Sequence, residues 1–196
     1  KPLSMTLREG RRMVEVAEET GRIVQVGLQR RSSTLYPEIH ELVSSGAIGK
    51  VVFARCYRLS NMTPTGIGKD PDSDPPATLD WDLWLGVAPE RPYNPIYAPF
   101  KWRGWKNFGS GAIGDMGIHN AAIAYLGFQL GMPDGVKIIS TSPLCSETFP
   151  AWAELQFNFP AQGSNPAFVL HWYDGGHKPS VSLINDEPLD ANGCII

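Results

Sequence analysis

Residues 136–173, VKIISTSPLCSETFPAWAELQFNFPAQGSNPAFVLHWY, hold three apolar and aromatic runs with proline and glycine between them. The runs are Val136 to Ser142, Trp152 to Phe159 and Phe168 to Tyr173. Short runs of this kind, bounded by turn residues, read as strands. No helix-length segment separates them, so each strand returns by a loop and the sheet they build is antiparallel. Upstream, VVFARCYRL from Val51 to Leu59 reads as another strand, and the closing GCII, from Gly193, reads as the start of one more. Helical patterns precede these: Pro37 to Ser45, with Ile39, Leu42 and Val43 on one face, and about Asp115 to Gly131, closed by Met132-Pro133. Gly109 to Gly114, GSGAIG, reads as a flexible turn before that second helix. Together these segments predict an α+β domain with a large, mostly antiparallel sheet.

The first thirty residues follow a different rhythm. Ser4 to Thr20 reads as a helix, opened by a capping box at Thr6 and Glu9 and stopped by Gly21. RIVQVG, from Arg22 to Gly27, follows as a short strand. Helix, glycine, then a Val/Ile strand is the pattern of a parallel α/β domain. Residues 1–30 are therefore expected to be the tail of such a domain, and residues 31–196 a second, α+β domain. The first residue is not Met and the last four are apolar, so a fragment is expected, cut short at its C-terminal end as well. Between residues 60 and 99 prolines recur, yet Trp81, Trp84, Tyr93 and Tyr97 argue against disorder.

A net charge of −3 gives no electrostatic case for nucleic acid or an anionic membrane, and no basic run supplies one locally. No apolar stretch approaches the roughly 20 residues of a membrane span. Cys56, Cys145 and Cys194 lie far apart without CxxC spacing and read as structural thiols. The compartment is not readable.

Chemistry concentrates in GSGAIGDMGIHN, residues 109–120. Asp115 and His119 are four apart on an expected helix, which places them on one face, about 5–6 Å apart at Cβ. A carboxylate beside a histidine can fix its tautomer and basicity for proton transfer. An N-capping Asp with a bystander His fits the spacing equally, and a shared metal ion would need a further ligand, such as His171 or His177. No metal site is expected. In KWRGW, residues 101–105, the adjacent Trp102 and Arg103 suit a stacked planar ligand or a phosphate, or a loop whose indole plugs the core. Lys1-Pro2 is either an ammonium aimed into a cleft or simply a charged end. GxGxxG, GxxxxGK[ST], HExxH and GxSxG are all absent.

In this order, Lys1-Pro2, RIVQVGLQRR, the Trp-Arg pair and the Asp-x-x-x-His behind its glycines resemble the Gfo/Idh/MocA family of NAD(P)-dependent oxidoreductases. HWYDGG, residues 171–176, adds to the resemblance. The resemblance implies a fold like that of dihydrodipicolinate reductase, with helices on one face of the sheet, preceded by the last helix and strand of a truncated Rossmann domain. It implies that Lys1, Asp115 and His119 are catalytic, with His119 as general acid/base and Asp115 orienting histidine or substrate. It implies that Lys1, Pro2, Gln29, Arg30, Trp102 and Arg103 lie near an NAD or NADP cofactor. The implied partners are a small sugar or polyol, with the aromatic segment 60–105 shaping its site, and further copies of the chain through the sheet. An NAD-assisted glycoside hydrolase and a non-catalytic assembly module are the alternatives. The glycine fingerprint of a Rossmann domain is not in this sequence, so the chain by itself is expected to bind NAD(P) poorly and to be inactive.

Overall fold

The computed structural model describes residues 3–58, 70–163 and 165–196. Helix α1 spans Leu7–Thr20 and α2 spans Leu35–Ser44, and strand β1 is Phe53–Arg58. A short helix α3, Trp81–Leu85, follows. A π-helical turn at Ile113–Gly117 leads into α4, Ile118–Asn120, and α5, Ala122–Phe128. Strands β2 (Gly135–Thr141), β3 (Ala153–Phe159), β4 (Phe168–Tyr173) and β5 (Asn192–Ile195) complete the chain.

The five strands form one sheet in the order β2-β3-β4-β1-β5. The pairs β2·β3, β3·β4 and β1·β5 are antiparallel, as the strand-loop-strand pattern predicts. The pair β1·β4 is parallel, with Ala54 beside Leu170 and Cys56 beside Trp172. Side chains alternate across a sheet with a period of two. Ala54, Cys56, Phe168, Leu170 and Trp172 therefore all point to one face, where Ala112, Ile113, Met116, Ala121, Ala124 and Phe128 cover them. The fully buried Ala124 and the nearly buried Ala112 have only a methyl to place, which lets the helical layer sit close on the sheet.

A second cluster sits beside this core. Ile96, Tyr97 and Trp105 are buried, with Trp81, Trp84, Trp102 and Phe108 packed on them. Trp81 stacks on Trp84 at 4.9 Å, and Tyr97 meets Trp105 edge-on at 4.8 Å. Such ring pairs add to the burial of their area. From residue 70 onward the proline-rich segment is held by its own aromatics, with Trp81, Trp84, Tyr93 and Tyr97 packed on one another, while residues 60–69 lie outside the described residues.

Two expectations are corrected. RIVQVG forms no strand: Ile23 is 99% exposed, and no strand among the described residues lies alongside to complete a ladder. The helix expected from Asp115 to Gly131 instead starts before Asp115, runs through the π turn, is interrupted at Ala121 and ends at Phe128. The expected flexible turn is correspondingly shorter, since Ala112 is already helical and buried. The N-terminal capping is as expected. Thr6 Oγ1 accepts from the Glu9 amide, the Glu9 carboxylate accepts from the Thr6 amide, and Gly21 caps α1 at φ 62°. Helix α1 buries none of its residues. Lys1, Pro2 and Leu59 lie outside the described residues.

Candidate active site

The π turn and α4 carry Asp115 and His119 across the apolar face of β1 and β4. A π turn holds one residue more per turn than the α-helical spacing assumes, and it is common where a helix serves a functional site. Gly117 fits this crossing because its α-carbon faces Ile113 and the Trp172 ring, both within 4 Å of where a Cβ would stand.

Asp115 opens onto a cleft of about 440 Å³, whose walls include Ser4, Trp102, Arg103, Lys106 and Phe149. Arg103 is held from several sides. Its Nη1 donates to the Phe100 carbonyl at 2.9 Å, and its guanidinium lies 4.6 Å from the ring centres of both Phe100 and Trp102. Its Nε stands 3.7 Å from Asp115 Oδ1, so one face of the cleft has a cation and a carboxylate side by side. Trp105, two residues on, anchors this loop by burying its indole. The backbone is stapled to the segment before β3: the Lys106 amide donates to the Glu147 carbonyl at 2.8 Å, and the Phe149 amide to the Gly104 carbonyl at 2.9 Å.

The glycines before Asp115 are required by this packing. A Cβ at Gly109 would collide with the Arg103 backbone. Gly111 has φ +67°, a left-handed conformation, and a Cβ there would press on the Phe149 ring at 2.8 Å. Gly109→Ala is therefore expected to displace the Trp102-Arg103 loop and to lower stability by roughly 1–3 kcal/mol, as overpacking does. Urea unfolding measures that loss, and an unchanged midpoint would mean the loop yields freely.

His119 lies one turn beyond Asp115 and is almost fully buried, at 2% exposure. Its backbone carbonyl accepts from the Tyr36 hydroxyl at 2.8 Å, which ties α4 to α2. Asn120 is fixed at both ends: its Nδ2 donates to the Tyr57 carbonyl at 2.8 Å, and its Oδ1 accepts from Arg30 Nη1 at 3.1 Å. The sequence-derived residues thus fall into three groups. Trp102, Arg103 and Asp115 share the cleft, and the described chain begins at its wall with Leu3, Ser4 and Met5. Arg30, with the exposed Gln29 beside it in the 3-10 turn Gln29–Ser32, reaches the same helical segment through Asn120. His119 sits between these groups, below the surface. Tyr36 and Asn120 escaped the sequence reading as holders of the site; a polar Asn inside an apolar helix was the signal for one of them.

His171 and His177, the candidate extra metal ligands, are engaged elsewhere. His171 stacks near Tyr173 on the sheet, and His177 stacks on Trp152 at 4.0 Å. Among the described residues no three His, Cys, Asp or Glu side chains gather as a metal site. Among them, too, no helix is long and apolar enough to cross a membrane.

The model described as "Oxidoreductase family, C-terminal alpha/beta domain" of the Gfo/Idh/MocA group matches residues 35–160. The chain belongs to this family. It is 38% identical over 65 residues to an inositol 2-dehydrogenase of Saccharopolyspora erythraea, and 33% identical over 64 residues to a scyllo-inositol 2-dehydrogenase (NAD(+)) of Bacillus subtilis. Each alignment spans 33% of this chain and 19% of the relative, so the matched part is about a fifth of those enzymes. The fold matches an oxidoreductase of Thermotoga maritima with a TM-score of 0.56 at 19% identity, covering 92% of this chain and 44% of the other.

Proposed function

We propose that this chain is the substrate-side domain of an NAD(P)-dependent dehydrogenase that oxidises a CH–OH group of a sugar or polyol. The observation that carries the reading is the cleft where Asp115, Arg103 and Trp102 meet beside the start of the chain. The two inositol dehydrogenase relatives supply the substrate class. In the same reading, residues 1–30 close a dinucleotide-binding domain, and α1, which buries nothing here, packs within it.

A dinucleotide suits these residues in part. The Trp102 indole and the Arg103 guanidinium offer a flat, cationic surface of the kind that takes a nicotinamide ring or a phosphate. By the family resemblance, Lys1, Pro2, Gln29 and Arg30 would contact the cofactor as well. A bound nicotinamide would supply the hydride acceptor for the carbinol carbon. The residues of this chain do the rest. His119 accepts the hydroxyl proton, Lys1 stabilises the negative charge that grows on oxygen, and Asp115 orients the histidine or a neighbouring substrate hydroxyl. Overall, one alcohol and one NAD(P)+ yield one carbonyl, one NAD(P)H and one proton.

The test is turnover by the full-length protein with NAD+ or NADP+ over a panel of inositols, polyols and aldoses. Carbonyl product in step with reduced cofactor is expected. Release of sugar from a glycoside with no net reduced cofactor would replace the reading by an NAD-assisted hydrolase, and inactivity on the whole panel would overturn it. The 196-residue chain alone is expected to bind NAD+ at least a hundredfold more weakly than the full-length protein, since its sequence lacks the glycine loop that cradles a pyrophosphate. Calorimetric titration of both measures this.

Self-association through the sheet belongs to the same proposal. The face opposite the helices carries Arg55, His171 and Tyr173, with Arg55 Nη1 donating to the Tyr173 hydroxyl at 3.0 Å. Arg55 Nε and His171 Nδ1 are buried there without a hydrogen-bond partner among the described residues. Burial, and then the Arg55 charge, lower the His171 pKa below its ordinary value. A facing copy that supplies acceptors would relieve these atoms.

A further inference from the structure

The sulfur atoms of Cys56 and Cys194 lie 3.1 Å apart. The two residues are 138 positions apart in sequence and stand directly opposite each other in the antiparallel β1·β5 ladder. Opposed residues of such a ladder have Cα atoms about 4.5–5.5 Å apart, which lies within the range a disulfide spans. Both cysteines are free thiols. Roughly one ångström of further approach would bring the sulfurs to bonding distance, about 2.05 Å. We infer that Cys56 and Cys194 form a peroxide-sensitive dithiol, which closes to a cross-strand disulfide behind the catalytic helix.

The exposures of the two thiols differ in a way that orders the chemistry. Cys194 is half-buried and within reach of a small oxidant, whereas Cys56 is fully buried. Its hydrogen bond with Cys194 and its burial push the Cys56 thiol well above its ordinary pKa. Cys194 is therefore the group that meets peroxide. Its thiolate attacks one oxygen of hydrogen peroxide, the O–O bond breaks, and a sulfenic acid and hydroxide form, the hydroxide taking up the proton the thiol released to give water. The Cys56 sulfur then attacks the sulfenic sulfur, the S–O bond breaks, and hydroxide leaves with the Cys56 proton as a second water. One peroxide is reduced and two thiols are oxidised.

The pair touches the candidate active site. The Cys56 thiol also donates to the Asn120 carbonyl at 3.6 Å, and Asn120 directly follows His119. Closing the disulfide removes this donor from the end of α4 and locks β5 onto β1. This coupling rests on the placing of the active site proposed above; the disulfide itself does not.

The experiment uses the full-length protein with Cys145→Ser, because Cys145 is exposed and has a lowered pKa through its hydrogen bonds with Thr148 and Glu147. Dilute hydrogen peroxide is added, and the protein is followed by thiol titration, non-reducing peptide mapping and thermal unfolding. The expected product is a monomeric-chain species with peptides of Cys56 and Cys194 joined, reversed by dithiothreitol. Its Tm should rise by roughly 5–15 °C, from loop-closure entropy in a domain of this size. Cys194→Ser should remove both the link and the rise. Overoxidation of Cys194 with Cys56 left free, or a link between chains, would overturn the proposal. A link that lowers Tm would do so too, because the strands would have to part to form it. None of these readouts depends on turnover, so a failed dehydrogenase assay leaves this test standing.

Discussion

On the proposed function, replacing His119 by alanine in the full-length protein should lower kcat by about 10²–10⁴-fold, the usual contribution of a positioned general acid/base. The side chain is buried, so loss of fold must be separated from loss of chemistry. His119→Gln keeps much of the volume and a hydrogen-bonding group but has no proton to exchange near neutral pH, so it should be nearly as inactive with a Tm close to wild type. Asp115→Asn should behave differently. Asp115 faces the cleft and pairs with Arg103 at 3.7 Å, so its loss should raise KM as well as lower kcat, by placing substrate or cofactor less well. If His119→Gln retained wild-type kcat, the general-base role would be gone, and the histidine would be a packing residue of α4.

How much of this was readable beforehand depended on how local the determining interaction is. The capping box at Thr6 and Glu9 and the stop at Gly21 involve residues within one turn of each other, and they were legible. So were β2, β3 and β4, because each is a short apolar run between turn residues and the runs follow one another directly. The parallel pairing of β1 with β4 joins segments more than a hundred residues apart, and no local pattern encodes it. RIVQVG shows the converse. Its composition suits a strand, but a strand exists only through its neighbour, and none of the described strands lies beside Ile23 or Val24. The site divides in the same way. Asp115 and His119 stood out by their spacing and the glycines ahead of them, although the spacing by itself fits a cap and a bystander too. The holding of Arg103 by Phe100, Trp102 and Asp115, and the Tyr36 hydroxyl under His119, arise only once distant segments are packed. The aromatics between 80 and 105 were legible as anchors. Which of them would turn inward to one another, and which, like Trp102, would also reach the cleft, was not.

Asp174→Ala should be among the most destabilising single changes in the domain, at about 2–5 kcal/mol. The Asp174 carboxylate is 3% exposed and links the end of β4 to the start of β3. Its Oδ1 accepts from the Ala153 amide at 2.6 Å, and its Oδ2 accepts from the Trp172 indole at 2.8 Å. Alanine leaves two donors without acceptors, and each buried orphan costs about 1–3 kcal/mol. Asp174→Asn should cost less. Its carbonyl can still take the Ala153 amide, while its NH2 would face the indole N–H, one donor against another. Burial raises the Asp174 pKa above its ordinary 3.8, although the bonds from Trp172 and Ala153 pull the other way. The native state therefore holds this proton more tightly than the unfolded chain does. The extra stability is complete below 3.8 and is lost as pH rises through the higher folded value. Other carboxylates titrate in the same range, so the informative quantity is the difference between wild type and Asp174→Asn, measured by urea unfolding from pH 3 to 7. That difference should favour wild type most at the acidic end and shrink as pH rises. The opposite slope would mean that the two hydrogen bonds outweigh burial and that the ionised form of Asp174 is the one the fold prefers.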